Sequence, residues 1–206
     1  QLPNLNRLRQ SSTLFTDVLP AGQYTEEVLP SILLGHKVQR VDYTYGNQLR
    51  VAFPGKGFEP FQASQTPFAV ARQNGFTTGV VGWYNPYCGM LAPYLNSCYW
   101  TRTSLEASII DQHAGVLSNM AQPWIFYARQ LHDAFSAGAR WNSSNLAARV
   151  PEYSLLMKHS LSLVSGPQPE FILLHLPVPH PPGFYNRDTG TFDTSGKRSY
   201  LDNLAL

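Results

Sequence analysis

Two residues are candidates for chemistry, each because of its neighbours. His180 lies in Leu176-Pro177-Val178-Pro179-His180-Pro181-Pro182-Gly183, where prolines restrict the backbone and would hold an imidazole in one place, as a binding group requires. A loop histidine stacked on proline would have the same sequence. Thr25 opens the run Thr25-Glu26-Glu27-Val28-Leu29-Pro30-Ser31-Ile32-Leu33-Leu34-Gly35. A hydroxyl at such a helix start either caps the helix, worth about 1 kcal/mol, or sits among outward N–H groups and the positive dipole end, which favour a phosphate or sulfate. Cys88 and Cys98 are the only two cysteines and lie in one aromatic, Pro-containing stretch. A bridge between them would stabilise by about 2–4 kcal/mol in an oxidising compartment. Two ordinary buried cysteines are the alternative, and zinc is the weakest reading because no second pair accompanies them. His175 ends an apolar run and reads as a core histidine satisfied by backbone. His36, His113, His132 and His159 fall on predicted helices or a helix end and read as structural or solvated.

Several chemistries are disfavoured. The chain has no G-x-S-x-G, G-x-x-x-x-G-K-[ST], H-E-x-x-H or G-x-G-x-x-G segment, so serine-hydrolase and nucleotide-binding signatures are missing. Fifteen Lys/Arg against thirteen Asp/Glu leave a net charge of +2, far from the concentrated positive charge that nucleic-acid binding leans on. No apolar run approaches the roughly 18 residues of a membrane helix. With 206 residues, 43% hydrophobic and 14% charged, the chain can build a real core. The opening Gln1-Leu2-Pro3-Asn4 lacks an initiator Met and a signal-peptide shape, and the chain stops inside a periodic segment. The reading is a single domain over residues 1–206, cut at both ends.

The elements that would position these residues alternate between helix and strand. Pro3 to Ser12 predicts a helix with Leu5 and Leu8 on one face, followed by a short strand around Thr13-Leu14-Phe15. A helix marked at both ends follows from Thr25 to Gly35, with Pro30 inside it. Val41–Tyr45 and Gln48–Phe53, separated by Gly46-Asn47, predict a hairpin. Thr66-Pro67 opens a helix that Gly75 closes, and Phe76 to Trp83 should be a strand. Three helices are then expected: one from Leu105 through Ile109 to Val116, one carrying Trp124, Ala128, Leu131 and Phe135, and one carrying Leu146, Val150, Tyr153, Met157, Leu161 and Val164. Phe171 to Leu176 predicts a strand buried on both faces of a parallel sheet. His180 then lies just past the carboxyl end of that strand, where α/β sheets bind ligands. The fold class is α/β, a mostly parallel sheet between helices.

The order of several segments resembles the sulfatase-like branch of the alkaline phosphatase superfamily over nearly the whole chain. Leu2-Pro3-Asn4-Leu5-Asn6-Arg7-Leu8 is similar to the family's opening helix, Leu14-Phe15-Thr16 to the strand after it, and Thr25 with the tail Leu33-Leu34-Gly35 to its nucleophile helix. Ala71 to Thr78 resembles its "A-x-x-x-G-Y-x-T" step, Phe171 to Pro182 its strand ending in "H-x-P-H-x-P", and Tyr200-Leu201-Asp202-Asn203 the helix beyond. The resemblance implies an alkaline phosphatase-like sandwich, incomplete here. It implies Thr25 as nucleophile and a ligand of a divalent metal, zinc or manganese, and His180 as the contact to the substrate's charged oxygens.

Two departures refine that expectation. Thr25-Glu26-Glu27-Val28-Leu29 lacks the Pro and Arg of "C/S-x-P-x-R", which disfavours a formylglycine sulfatase. A threonine nucleophile looks more like the phosphoethanolamine and lipoteichoic-acid-type transferases. The family's acidic and His-containing metal ligands would lie outside residues 1–206, so these residues alone should bind no metal and be inactive, since a threonine hydroxyl needs a metal or base to act. The expected partner is a phosphorylated or sulfated small molecule, lipid head group or envelope polymer, in the periplasm or cell exterior, with an upstream membrane anchor compatible with the reading. The alternative is a non-catalytic binding or structural module of the cell envelope.

Overall fold

The computed structural model describes residues 3–44, 48–101, 116–117, 120–121, 124–125, 128, 139–167, 169–181 and 183–206. The chain is mixed α/β, with a three-stranded parallel sheet flanked by helices. It forms two compact units. One contains residues 15–101 and 156–176, the other residues 1–14, 102–155 and 177–206.

In the first of these units, helix α2 spans Thr25–Leu34 and ends at Gly35, whose φ of 68° is the left-handed closure the sequence predicts. Pro30 lies inside the helix without ending it. Next to it, the buried Ser31 hydroxyl donates to the Glu27 carbonyl at 2.6 Å and accepts from the Val38 amide at 2.8 Å. Strands β1 (Arg40–Thr44) and β2 (Gln48–Ala52) pair antiparallel with Thr44 opposite Gln48, as the hairpin pattern predicts. The Gly46-Asn47 turn itself falls outside the described residues. A third strand, β3 (Phe58–Pro60), joins β2 and is not anticipated by the sequence reading.

Helix α3 (Pro67–Gln73) starts with Pro in its first turn and leads through Gly75 into strand β4 (Thr78–Trp83). A short helix α4 (Tyr87–Met90) and strand β5 (Ser97–Thr101) follow. β4 is the centre of the parallel sheet, with β5 on one side and β6 (Phe171–His175) on the other. All six β4 residues are buried. Successive side chains of a strand point to opposite faces. Val80 accordingly joins the core of Leu33, Leu34, Val51, Phe68 and Leu91, whereas Val81 and Trp83 pack with Leu156 and Leu163. The latter two belong to helix α5 (Ala139–Ser165), which covers the third predicted helix, but Leu161 and Val164 of the expected face are exposed while Leu156 and Leu163 are buried. Each face of the central strand is thereby covered, as a parallel sheet requires.

β6 departs from expectation. It is an edge strand, half-buried with Leu174 exposed, because β4 rather than β6 takes the middle position. The expected strand at Thr13–Phe15 is also absent. That segment is irregular, and Phe15 is 75% exposed; without a neighbouring strand its backbone has no ladder to join.

In the other unit, α1 spans Pro3–Gln10, two residues shorter than predicted. Strands β7 (Tyr185–Asn186) and β8 (Thr191–Phe192) form a short hairpin closed through Gly190, with φ 70°. Phe184 is fully buried against Tyr153 and Phe192, with ring centroids at 5.8 and 6.1 Å. Helix α6 (Tyr200–Leu204) begins in a capping box, in which Ser199 and Asp202 satisfy each other's amides. Most of the first two predicted helices between Leu105 and Phe135 lies outside the described residues; Trp124 and Ala128 are helical and exposed. Among the described residues, no helix is long and apolar enough to cross a membrane.

Candidate functional site

The carboxyl ends of parallel strands are where an α/β sheet offers its backbone groups and loops to a ligand. In the sheet-bearing unit these ends present Trp83-Tyr84-Asn85 from β4 and His175 from β6. The chain turns sharply at Tyr84, a non-glycine residue with φ 74°, a conformation that costs free energy for a side chain of this size. From that turn the Tyr84 hydroxyl donates to Glu26 Oε2 at 2.8 Å. The first turn of α2 is therefore tied to the end of the central strand.

Thr25 occupies the first helical position, not the cap. Tyr24 is the capping residue, with extended φ/ψ and no side-chain hydrogen bond, and its carbonyl accepts from the amides of Glu27 and Val28 at 3.0 and 2.9 Å. The expected N-cap role of Thr25 is thus corrected: the helix begins one residue earlier than the preference for hydroxyl caps suggests. Thr25 is half-buried and lines a hollow of about 520 Å³ with Pro20, Gly22, Val28, Leu29 and His175. Glu26 and Glu27 both sit in the same first turn. They place two carboxylates at the positive end of the helix, where an incoming anion would be favoured.

His175 is more than a backbone-satisfied core residue. Its Nδ1 lies 2.8 Å from the Tyr87 hydroxyl, and its ring packs edge-on to Trp83 and Tyr87. The buried Asn85 amide donates to the Tyr87 oxygen at 3.4 Å while its Oδ1 accepts from the Tyr43 hydroxyl at 2.8 Å. The Tyr87 hydroxyl and His175 Nδ1 share this hydrogen bond, with the donor set by the imidazole tautomer, and a main-chain bond to Trp83 adds to it. Burial, partly offset by that main-chain bond, lowers the His175 pKa to about 4, so the imidazole is neutral at neutral pH. Burial likewise pushes the Tyr87 phenol well above its ordinary range. Gly82 makes room for this arrangement, because a Cβ there would overlap the Tyr87 ring.

His180 lies in the other unit and is exposed. Its Nδ1 donates to the Pro181 carbonyl at 2.6 Å and its amide to Pro177 at 3.0 Å. Its carbonyl accepts from the Asn203 side chain at 3.2 Å, while Asn203 Oδ1 takes the Phe184 amide at 2.8 Å. The buried Asn203 of α6 therefore holds both sides of the histidine turn. Prolines alone do not stiffen it.

Cys88 and Cys98 form a disulfide with a Cα–Cα distance of 5.7 Å, joining α4 to β5 directly after Tyr87. Among the remaining histidines, His159 stacks on Tyr99 at 3.6 Å and His36 is exposed near Phe53; His113 and His132 lie outside the described residues. Among the described residues, no group of three or more His, Cys, Asp or Glu comes together to hold a metal ion. Around Thr25, Glu26 Oε2 accepts from the Tyr84 hydroxyl and His175 Nδ1 is bonded to the Tyr87 hydroxyl.

The structure groups Thr25 with His175. Sequence reasoning passed over Tyr84, Asn85, Tyr87 and Asn203. The first three follow within four residues of the strand predicted to end at Trp83, a position that alone marks them for attention; nothing local distinguishes Asn203. No protein-family model, curated protein or solved structure matches the chain.

Proposed function

We propose that the chain belongs to a sulfatase-like hydrolase or transferase of the alkaline phosphatase superfamily, acting on phosphate or sulfate esters through the Thr25 hydroxyl. The observation that carries this reading is the position of Thr25. It opens α2, which Tyr84 ties to the carboxyl end of the central parallel strand, and it lines one hollow with His175. The ordered segment resemblance supports the same assignment.

In the reaction, Thr25 Oγ1 attacks the phosphorus or sulfur, its proton passing to a base in solvent. The bond to the ester oxygen breaks, and the leaving alkoxide takes up a proton to depart as the alcohol. Water or an acceptor hydroxyl then displaces the group from the threonyl ester and restores the hydroxyl. The resemblance gives His180 the contact with the substrate's charged oxygens, and it assigns the zinc or manganese ligands other than Thr25 to segments outside residues 1–206. A periplasmic or extracellular setting suits the disulfide.

A second reading, a non-catalytic binding or structural module of the cell envelope, is favoured by the two carboxylates already at the start of α2. Assay of aryl phosphodiester and aryl sulfate cleavage by the protein extended at both ends, with Zn²⁺ or Mn²⁺, separates them. Cleavage that Thr25→Ala abolishes and Thr25→Ser retains supports the enzyme. Equal rates in the wild type and Thr25→Ala remove the hydroxyl from the mechanism.

A further inference from the structure

The unit built from α1, the β7–β8 hairpin and α6 contains a hollow of about 1070 Å³, independent of the Thr25 site. Its walls combine leucines and arginines with the smaller Asn6, Ser12, Thr13 and Ala205. Leu5 and Leu8 of α1, Leu14 after it, and Leu201 of α6 line it and are each between 48% and 60% exposed. Four leucines on one concavity leave apolar surface in water that a bound alkyl chain would cover.

Arg9 and Arg187 line the same hollow. Arg9 stands in the last turn of α1, where the helix dipole favours a cation, and α1 has no acid in its first turn. Its Nη2 donates to the neutral Asn6 Oδ1 at 3.3 Å, and among the described residues no carboxylate pairs with it. Arg187 is half-exposed and pairs through Nε with Asp202 Oδ1 at 3.2 Å. A guanidinium has five N–H donors, so that pair leaves others for a ligand. Bonds to Ser199 lower the Asp202 pKa, and the described residues lining the hollow carry two guanidiniums and no carboxylate.

We propose that this hollow binds a single-chain anionic amphiphile, with the alkyl chain over the leucines and the charged head on Arg9 and Arg187. Charge complementarity selects the head, the leucines select the tail, and the volume is slightly above the usual range of small-molecule sites.

Isothermal titration of the chain with dodecyl phosphate below its micelle-forming concentration tests the inference, with inorganic phosphate and dodecyl maltoside as separate arms. Saturable one-to-one binding of dodecyl phosphate is expected, with each control weaker by about tenfold or more. Arg9→Gln combined with Arg187→Gln should weaken dodecyl phosphate by about tenfold or more, and Leu8→Asn by a similar factor. Arg9→Gln alone keeps the Arg187–Asp202 pair and serves if the double variant fails to fold. Three results overturn the proposal: dodecyl maltoside binding equally well, inorganic phosphate binding equally well, or unchanged affinity in folded arginine variants. Self-association through the leucines that the arginine variants leave intact would overturn it too.

Discussion

Burial separates His175 from the exposed His36 and His180 and gives it a pH signature. In the unfolded chain an imidazole takes up its proton near pH 6.5, but in the fold only near pH 4. Above pH 6.5 both states are neutral and the residue adds no pH dependence. As pH falls below that, the unfolded chain binds the proton first, and stability drops until about pH 4, by about 3 kcal/mol in total. Urea denaturation midpoints between pH 7 and pH 4 should show this slope, and His175→Gln should flatten it. An equal slope in the variant would assign the effect to other groups. Tyr87→Phe removes the hydroxyl partner of His175 Nδ1 and the acceptor for the Asn85 amide, leaving buried polar atoms unmatched. A loss of about 1–3 kcal/mol is expected at neutral pH, measured by the same denaturation.

At the scale of elements, the disulfide and one glycine govern how α4 meets the parallel sheet. The bridge closes a sequence separation of 10 residues, for which chain entropy gives about 2–3 kcal/mol. Cys88→Ala combined with Cys98→Ala should lower the unfolding free energy by that amount, and reducing agent should then have no further effect on the variant. Gly82→Ala puts a methyl into the ring of Tyr87 within a fully buried strand. We expect at least 1–3 kcal/mol of destabilisation, roughly, from overpacking, together with a changed near-ultraviolet spectrum as Tyr87 and Trp83 are displaced. A β4 that accepts the methyl without either change would mean that Tyr87 can repack.

Across the whole molecule, protection should follow the central strand. β4 is paired on both sides and buried along its length, so hydrogen exchange should be slowest there and fastest in the irregular, exposed stretch around Leu14 to Leu19. Fast exchange in β4 would contradict its place at the centre of the core. Much of the architecture was legible beforehand, because helix and turn signals act between near neighbours: Pro67 and Gly75 bracket α3, Gly35 stops α2, and Gly46-Asn47 between two runs rich in β-branched and aromatic residues predicts the hairpin. The two cysteines had only each other to pair with. What local pattern could not decide was which strand lies in the middle of the sheet, because β4 and β6 are both short apolar runs and differ only in the neighbours that pack on them. It could not decide the surroundings of His175 either. Its hydroxyl partner Tyr87 is 88 residues earlier in the chain, and only packing of the parallel strands brings such distant groups within hydrogen-bond reach. Composition and local turn signals therefore determined the α/β class and elements such as α2, α3 and the β1–β2 hairpin, whereas the hollow shared by Thr25 and His175 is a product of tertiary structure, since contacts between remote segments carry no signature in either one alone.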